Sequence, residues 1–430
     1  MKIKAPILLN TKKIDLILYS MIGVIVAIRG PFYYPDSFAF IEMDINRSPV
    51  YVLFLKFFNI VFGDYFIWPL IIVQFVVLIC AVHYLSKTLE KQSPLNAIEK
   101  TLLQFILLAP SIYFDYTTGA ILSESLSYPI ILVVFALGFK AFANLSVKPL
   151  LKSILPLYFL ILTRGQFVTI IPVFITLGLY INYQNKPQNI KWLPIILLIL
   201  LPIFTSFSER LYNKSMYGYY ENNSMNYVHL ISADFYLSTS SAVDVFEDSD
   251  EIEYFKIVHE SLENAGLTKQ KADAQNKSDI DVYNRNFSKI CNRRIHDLGL
   301  NYFQKKGLNY FEQNIALNKL CKKMFFKMLK SNFKQRISFF IKNLKIAYGT
   351  AKHLLLFMVL MVYSLIMVYK TKNNIFKFIL LGSVLMLANS VLIAFVIHAT
   401  KRYTFYYYWI IFAVIILIFN KLSKTIYNEN

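Results

Sequence analysis

The apolar residues of this chain come in runs too long for a water-soluble fold. About Ile67 to Tyr84, Ala120 to Phe139, Trp192 to Phe207, His353 to Tyr369, Phe376 to Ile397 and Phe405 to Phe419 each form a nearly unbroken hydrophobic segment. A helix crossing the hydrocarbon of a bilayer needs about 20 residues of this kind. Lipid offers no partners to backbone N–H and C=O groups, so such segments must be helices that satisfy themselves. Composition agrees: 56% of residues are hydrophobic and 16% aromatic, with a mean hydropathy of +0.46. A soluble enzyme of this length is excluded, and the expected fold class is an all-α polytopic membrane protein.

Charge then orients the segments. Lys and Arg exceed Asp and Glu by 19, and this excess is read as orientation, because Lys and Arg are retained in cytoplasmic loops. A basic stripe with interleaved aromatics can also suit nucleic acid, but the spans argue against such a partner. Lys2, Lys4, Lys12 and Lys13 precede an apolar stretch from Ile14 to Ile28, the layout of a signal sequence. Arg29-Gly30-Pro31 follows where a cleavage site would stand, so the stretch reads as an uncleaved anchor with its basic end inside. The first loop, 29–66, is then outside. Leu102 to Phe114 is expected to return the chain outward. Ser153 to Tyr183 is apolar except for Thr163-Arg164-Gly165-Gln166 at its centre. As one helix it would be roughly 45 Å long and would strand Arg164 at mid-membrane. As a hairpin of two it keeps Lys186, Lys191, Lys370, Lys372, Lys421 and Lys424 inside, giving about ten spans with both termini cytoplasmic. The expected parts are an N-terminal membrane half (1–207), an extracytoplasmic helical region (208–349) and three C-terminal spans (350–430).

Region 208–349 is acidic around Glu247 to Glu253 and strongly basic from Asn301 to Tyr348, where lysines alternate with Phe, Leu and Ile in a helical pattern. Basic amphipathic helices of this kind lie in a membrane interface or pack on their own domain with a solvated charged face. The three cysteines, Cys80, Cys291 and Cys321, form no CxxC pair; Cys80 reads as core, and Cys291 with Cys321 is a candidate pair if their compartment is oxidising.

The charged residues placed outside are few: Asp36, Glu42, Asp44 and Arg47 in the first loop, Asp115 and Glu124 around the next outer turn, Arg164 at the hairpin tip, and His398, Lys401 and Arg402 after the ninth span. Each has an ordinary explanation. Asp36 fits a polar turn, Glu124 a helix N-terminus favoured by the dipole, Arg164 a snorkelling cation, and His398, Lys401 and Arg402 an interfacial anchor. Together they describe a common chemistry. Carboxylates activate an acceptor as general base or hold a divalent cation, and Arg and Lys hold a phosphate that leaves as the bond breaks. An outer site of this kind on a polytopic protein suits a lipid-phosphate-linked substrate.

The same residues resemble a known superfamily. Pro35-Asp36-Ser37-x-x-Phe40, Arg47-Ser48-Pro49-x-Tyr51-x-x-Phe54-Leu55 and Phe62-Gly63-Asp64 look like the first outer loop of GT-C glycosyltransferases, in the branch of the protein O-mannosyltransferases and the aminoarabinose transferase of lipid A. Ser123-Glu124-Ser125-Leu126, Leu162-Thr163-Arg164 and Lys401-Arg402-Tyr403 continue the likeness in order and spacing. It departs where the family loop has Asp-Glu against Asp36-Ser37 and Arg-Pro-Pro against Arg47-Ser48-Pro49, and 208–349 has no counterpart. The resemblance implies a GT-C-like bundle and an inverting transferase that moves a sugar from a polyprenyl-phosphate donor to a glycan, lipid or protein acceptor on the outer face, in a bacterial inner membrane. Asp36 would be the catalytic base or acceptor organiser, with Glu124 a second acidic position. Arg47, Tyr51, Arg164, His398, Lys401, Arg402 and Tyr403 would bind substrate. A divalent cation at Asp36 stays open, and no other cofactor is implied. The competing readings are a transporter or flippase for a lipid-linked saccharide, and an O-antigen-type polymerase or ligase.

Overall fold

A computed structural model describes residues 11–93, 95–113, 117–185 and 191–428, with side chains from Lys12 to Lys421. Of the described residues 83% are helical, and none lies in a strand. Asp115, Lys186 and the N-terminal Lys2 and Lys4 lie outside these residues. Chain contacts divide it into two compact units. The first comprises 1–205, 357–386 and 405–430; the second comprises 206–356 and 387–404.

The first unit is built from α1 (Thr11–Arg29), α2 (Pro35–Ile41), α3 (Pro49–Phe62), α4 (Ile67–Gln92), α5 (Ala97–Leu108), α6 (Pro110–Tyr113), α7 (Glu124–Ala143), α8 (Lys148–Thr163), α9 (Ile170–Gln184) and the start of α10 (Leu193–Tyr217). α7 is its centre. It packs on α4 and α8 and buries apolar residues around its whole circumference, the pattern of a helix enclosed by other helices. Small residues admit close neighbours: a Cβ on Gly138 would lie 2.6 Å from the Phe174 ring of α9. The segment around Arg164 is a hairpin. α8 stops at Thr163, Arg164 is extended (φ −152°, ψ 114°), and Gly178 of α9 faces Leu150 of α8, residues equidistant from Arg164 in sequence.

The second unit follows with the rest of α10, then α11 (Asn226–Leu237), α12 (Ser249–Asn264), α13 (Lys269–Ala274), α14 (Asp279–Ser288), α15 (Asp297–Lys305), α16 (Tyr310–Ser331) and α17 (Phe333–Ala347). α11 lies against α16 and shares a continuous core with its neighbours, including Val228, Tyr236, Tyr254, Leu317 and Met324. The apolar stripe of α16 through Leu317, Leu320, Met324 and Met328 is packed inside the unit. Cys291 and Cys321 are buried free thiols in the same core, and burial pushes the Cys291 thiol up to about 12. Cys80, expected in the core, is exposed. Ion pairs dock the basic helices on the acidic ones: Lys327 on Glu251 at 2.7 Å, and Lys342 on Asp279 at 2.8 Å.

The chain ends with α18 (Ala351–Thr371), α19 (Asn374–Val396), α20 (Lys401–Thr404) and α21 (Tyr408–Asn428). The last turn of α19 leaves carbonyls without intrahelical partners, and side chains of α17 supply them. Arg336 donates to Phe395 O at 2.7 Å, and Asn343 donates to Ala394 O and Ile397 O at 3.0 Å each.

Seven helices among the described residues are long and apolar enough to cross a membrane: Ile67–Gln92, Glu124–Ala143, Gly165–Gln184, Leu193–Tyr217, Ala351–Thr371, Asn374–Val396 and Lys401–Lys421. The other three expected segments correspond to α1, α5 and α8. α5 has 12 residues and α8 has 16, and α1 carries Lys12, Lys13 and Asp15. Asp15 is buried and paired with Lys100 of α5 at 3.1 Å, so an expected apolar anchor contains an ion pair. Gly138→Val should lower stability by about 1–3 kcal/mol through overpacking against Phe174. Thermal unfolding in detergent reads this, and an unchanged midpoint would show that the α7–α9 contact yields at no cost.

Candidate functional site

In the first loop, local turns bring Asp36 and Arg47 together. Pro35 opens α2 with its φ already helical, while Ser37 Oγ accepts from Tyr34 N at 2.9 Å. After α2 the chain reverses: Met43 is left-handed (φ +59°), and Asp44 Oδ1 accepts from Asn46 N at 2.7 Å. Arg47 thereby returns along α2 and donates to Asp36 Oδ1 at 2.9 Å, with its guanidinium over the Phe40 ring at 4.8 Å. The pair is only partly exposed, 26% for Arg47 and 34% for Asp36. Arg47 Nε is buried and makes no hydrogen bond among the described residues.

Phe40 packs edge-on against Tyr51 of α3, and Tyr51 leads to the second acidic position. Its hydroxyl donates to Gln74 Oε1 at 3.1 Å, and Gln74 Nε2 donates to Thr118 O at 2.6 Å. Burial first, and the nearby Glu124 charge second, raise the Tyr51 phenol well above its ordinary range, so it stays a neutral donor. Thr118 is left-handed (φ +61°), a strained conformation for a β-branched residue. Gln74 and the Ser111 hydroxyl, 2.9 Å from Thr118 Oγ1, hold it there. The loop is also tied to the first loop: Phe32 N donates to Gly119 O at 2.8 Å and Ile121 N to Phe32 O at 3.1 Å. Position 119 needs glycine, since a Cβ would lie 2.9 Å from Gly30 O.

That loop delivers Glu124 as the first residue of α7, where the helix dipole favours a carboxylate. Glu124 is fully buried and paired with Arg164 Nη1 at 2.6 Å, and Ser123 Oγ donates to its other oxygen at 3.2 Å. Arg164 also faces the Tyr406 ring at 5.9 Å, and the Tyr406 hydroxyl is 2.8 Å from Ser127 Oγ. Two carboxylates assigned from sequence thus each hold an arginine assigned from sequence. The sequence had counted Arg47 and Arg164 as free cations for substrate. No spacing rule could have revealed the pairings across 11 and 40 residues, nor the supporting roles of Gln74, Thr118 and Tyr406.

The remaining four residues belong to the second unit. His398 stacks on Phe287 at 4.1 Å between ring centroids, with Tyr403 edge-on at 5.6 Å. Burial, then the neighbouring His229 and Arg402, depress its pKa to about 3, so it is a neutral packing residue at physiological pH. Lys401 is exposed, and Tyr403 O accepts from Asn389 at 3.1 Å.

Among the described residues no group of three His, Cys, Asp or Glu could hold a metal ion. Asp36, where a divalent cation was left open, is paired with Arg47. Compared with known families, curated proteins and solved structures, the chain has no match.

Glu124→Gln should strand the Arg164 charge and cost about 3–5 kcal/mol; adding Arg164→Met should recover part of it. Detergent unfolding of the two variants checks this, and additive losses would refute the coupling. For His398 the sign runs with pH: the unfolded chain binds a proton near its ordinary value and the folded chain does not, so stability falls as pH drops from about 6.5 toward 3. His398→Phe should flatten that acid limb, measured as the midpoint difference between pH 7 and pH 5.

Proposed function

We propose that the chain is an integral-membrane inverting glycosyltransferase of GT-C type, moving a sugar from a polyprenyl-phosphate donor to an acceptor on the outer membrane face. The observation that carries the reading is the Asp36–Arg47 pair. A carboxylate and a guanidinium are held 2.9 Å apart, both partly exposed, in the turn after the first apolar helix. Asp36 takes the proton of the acceptor hydroxyl as its oxygen attacks the anomeric carbon. The bond from that carbon to the phosphate oxygen breaks, and the phosphate leaves with the electron pair. Arg47 orients the carboxylate through its hydrogen bond to Asp36 Oδ1, and its partly exposed guanidinium faces the substrate side.

Burial separates the roles of the other residues. Glu124 has no exposed surface, so it serves as the partner that positions Arg164 and does not touch substrate. Arg164 presents a compensated charge, whereas Lys401 is exposed and lies in a stretch without Asp or Glu from Gln313 to Asn428. Lys401, an exposed cation of the second unit, can itself hold a phosphate oxygen. On this reading α1, α5 and α8 complete about ten spans, with both termini cytoplasmic and most of 208–349 outside.

The test is transfer of labelled sugar from a polyprenyl-phosphate donor by purified protein. Asp36→Asn should lower the rate by roughly 10²–10⁴-fold with the unfolding midpoint kept. Wild-type activity in that variant would remove Asp36 from the reaction.

A further inference from the structure

α17 has three faces where a surface helix ordinarily has two. At about 100° per residue, Arg336, Phe339, Asn343 and Ala347 share one arc and are buried within the second unit. The adjacent arc carries Phe333, Ile337 and Ile341, which are 56%, 44% and 46% exposed. The third carries Lys334 and Lys345, also exposed. A helix that only covers its own domain needs the first face and the last. The middle face sets three large apolar side chains in line, spaced i, i+4 and i+8, on the outside.

Two observations identify what this face meets. Gly349, left-handed at φ +91°, ends α17, and α18 begins two residues later. α18 is long and apolar enough to cross a bilayer, and only 17% of its most apolar window is buried, so the exposed face stands on the chain's approach to hydrocarbon. The charge is also one-sided. No Asp or Glu occurs between Glu312 and Glu429, and Lys334 and Lys345 form no ion pair among the described residues, whereas Lys342 of the same helix is paired with Asp279. An apolar arc bordered by uncompensated lysines suits the boundary between headgroups and acyl chains of an anionic bilayer, where each cation near the surface adds attraction.

We propose that α17 is an interfacial helix: Phe333, Ile337 and Ile341 sink into the bilayer boundary while Lys334 and Lys345 engage anionic lipid headgroups. The inference rests on the reading of the apolar helices as membrane spans.

The experiment uses the full chain in nanodiscs of zwitterionic and anionic lipid, with exposed Cys80 changed to Ser and single nitroxides placed at Phe333→Cys, Ile337→Cys, Ile341→Cys, Gln335→Cys and Ser338→Cys. Collisional relaxation by oxygen, which concentrates in lipid, should exceed that by a water-soluble nickel chelate at 333, 337 and 341, and the order should reverse at 335 and 338. Omitting the anionic lipid, or adding Lys334→Gln with Lys345→Gln, should shift Ile337→Cys toward the aqueous value. Aqueous behaviour at all five positions overturns the proposal, as does an unchanged Ile337→Cys signal without anionic lipid. A label at Val362→Cys in α18 separates the failures. Lipid contact there with water at 337 sinks the interfacial helix alone, while water at both sinks the membrane reading.

Discussion

Glu124 and Arg164 form an ion pair with almost no access to water, and the first unit is arranged around the need to keep it intact. A lone buried charge costs several kcal/mol, and a paired one is tolerated only when its remaining atoms are also satisfied. The Ser123 hydroxyl, the dipole at the start of α7 and the Tyr406 ring provide that shell. The pair also joins two places where helix stops. Arg164 lies at the break between α8 and α9, and Glu124 lies where the strained 117–123 loop becomes α7. Irregular backbone at membrane depth is stable only where protein lines it, and the pair locks two such places to each other. The first loop then rests on this frame through Phe32, Phe40 and Tyr51, which explains how a short turn can hold a carboxylate in a defined place.

The second unit solves a related problem with neutral and charged donors at a helix end. Arg336 is buried and reaches Phe395 O and Leu230 O, while its other terminal nitrogen stands 3.8 Å from Asp234. That spacing is too long for a direct hydrogen bond, and burial lifts the Asp234 carboxyl to about 7 even with Arg336 nearby. The guanidinium therefore does more for the orphan carbonyls of α19 than for the carboxylate. Its position at the C-terminal end of that helix also suits the negative end of the dipole.

Much of this was legible before any coordinates. The span expected from Ile67 coincides with the start of α4, and the segments expected at 353–369 and 376–397 lie within two residues of α18 and α19 at each end, because long apolar runs declare both type and extent. Glu124, Arg164 and Asp36 stood out because charge is rare in such surroundings. Their pairing was not legible. Which arginine meets which carboxylate depends on how α2 turns at Met43 and how α8 stops at Thr163, and neither event leaves a pattern in composition. The extent of α5 was also not legible: its apolar run continues toward Tyr113, but the helix yields at Ala109-Pro110, where proline cannot supply the next N–H.

The distribution of charge in the second unit also has an internal logic. Its acidic residues come early in sequence and its cations late, and folding superposes the two. Glu221, Glu251 and Asp279 each receive a lysine from α16 or α17 within 2.8 Å. Of these carboxylates Glu251 and Asp279 are nearly buried, so their lysines must stay to compensate them. What is left on the outside is the surplus: lysines of an acid-free stretch with no carboxylate assigned to them. The surface of α16 and α17 is basic because no acid follows Glu312 in that stretch, while exposed Asp244, Glu247, Glu253 and Glu260 keep the earlier part of the unit acidic. An anion that meets the unit along α17, whether a headgroup or a phosphate, meets lysines whose partners were never in the sequence around them.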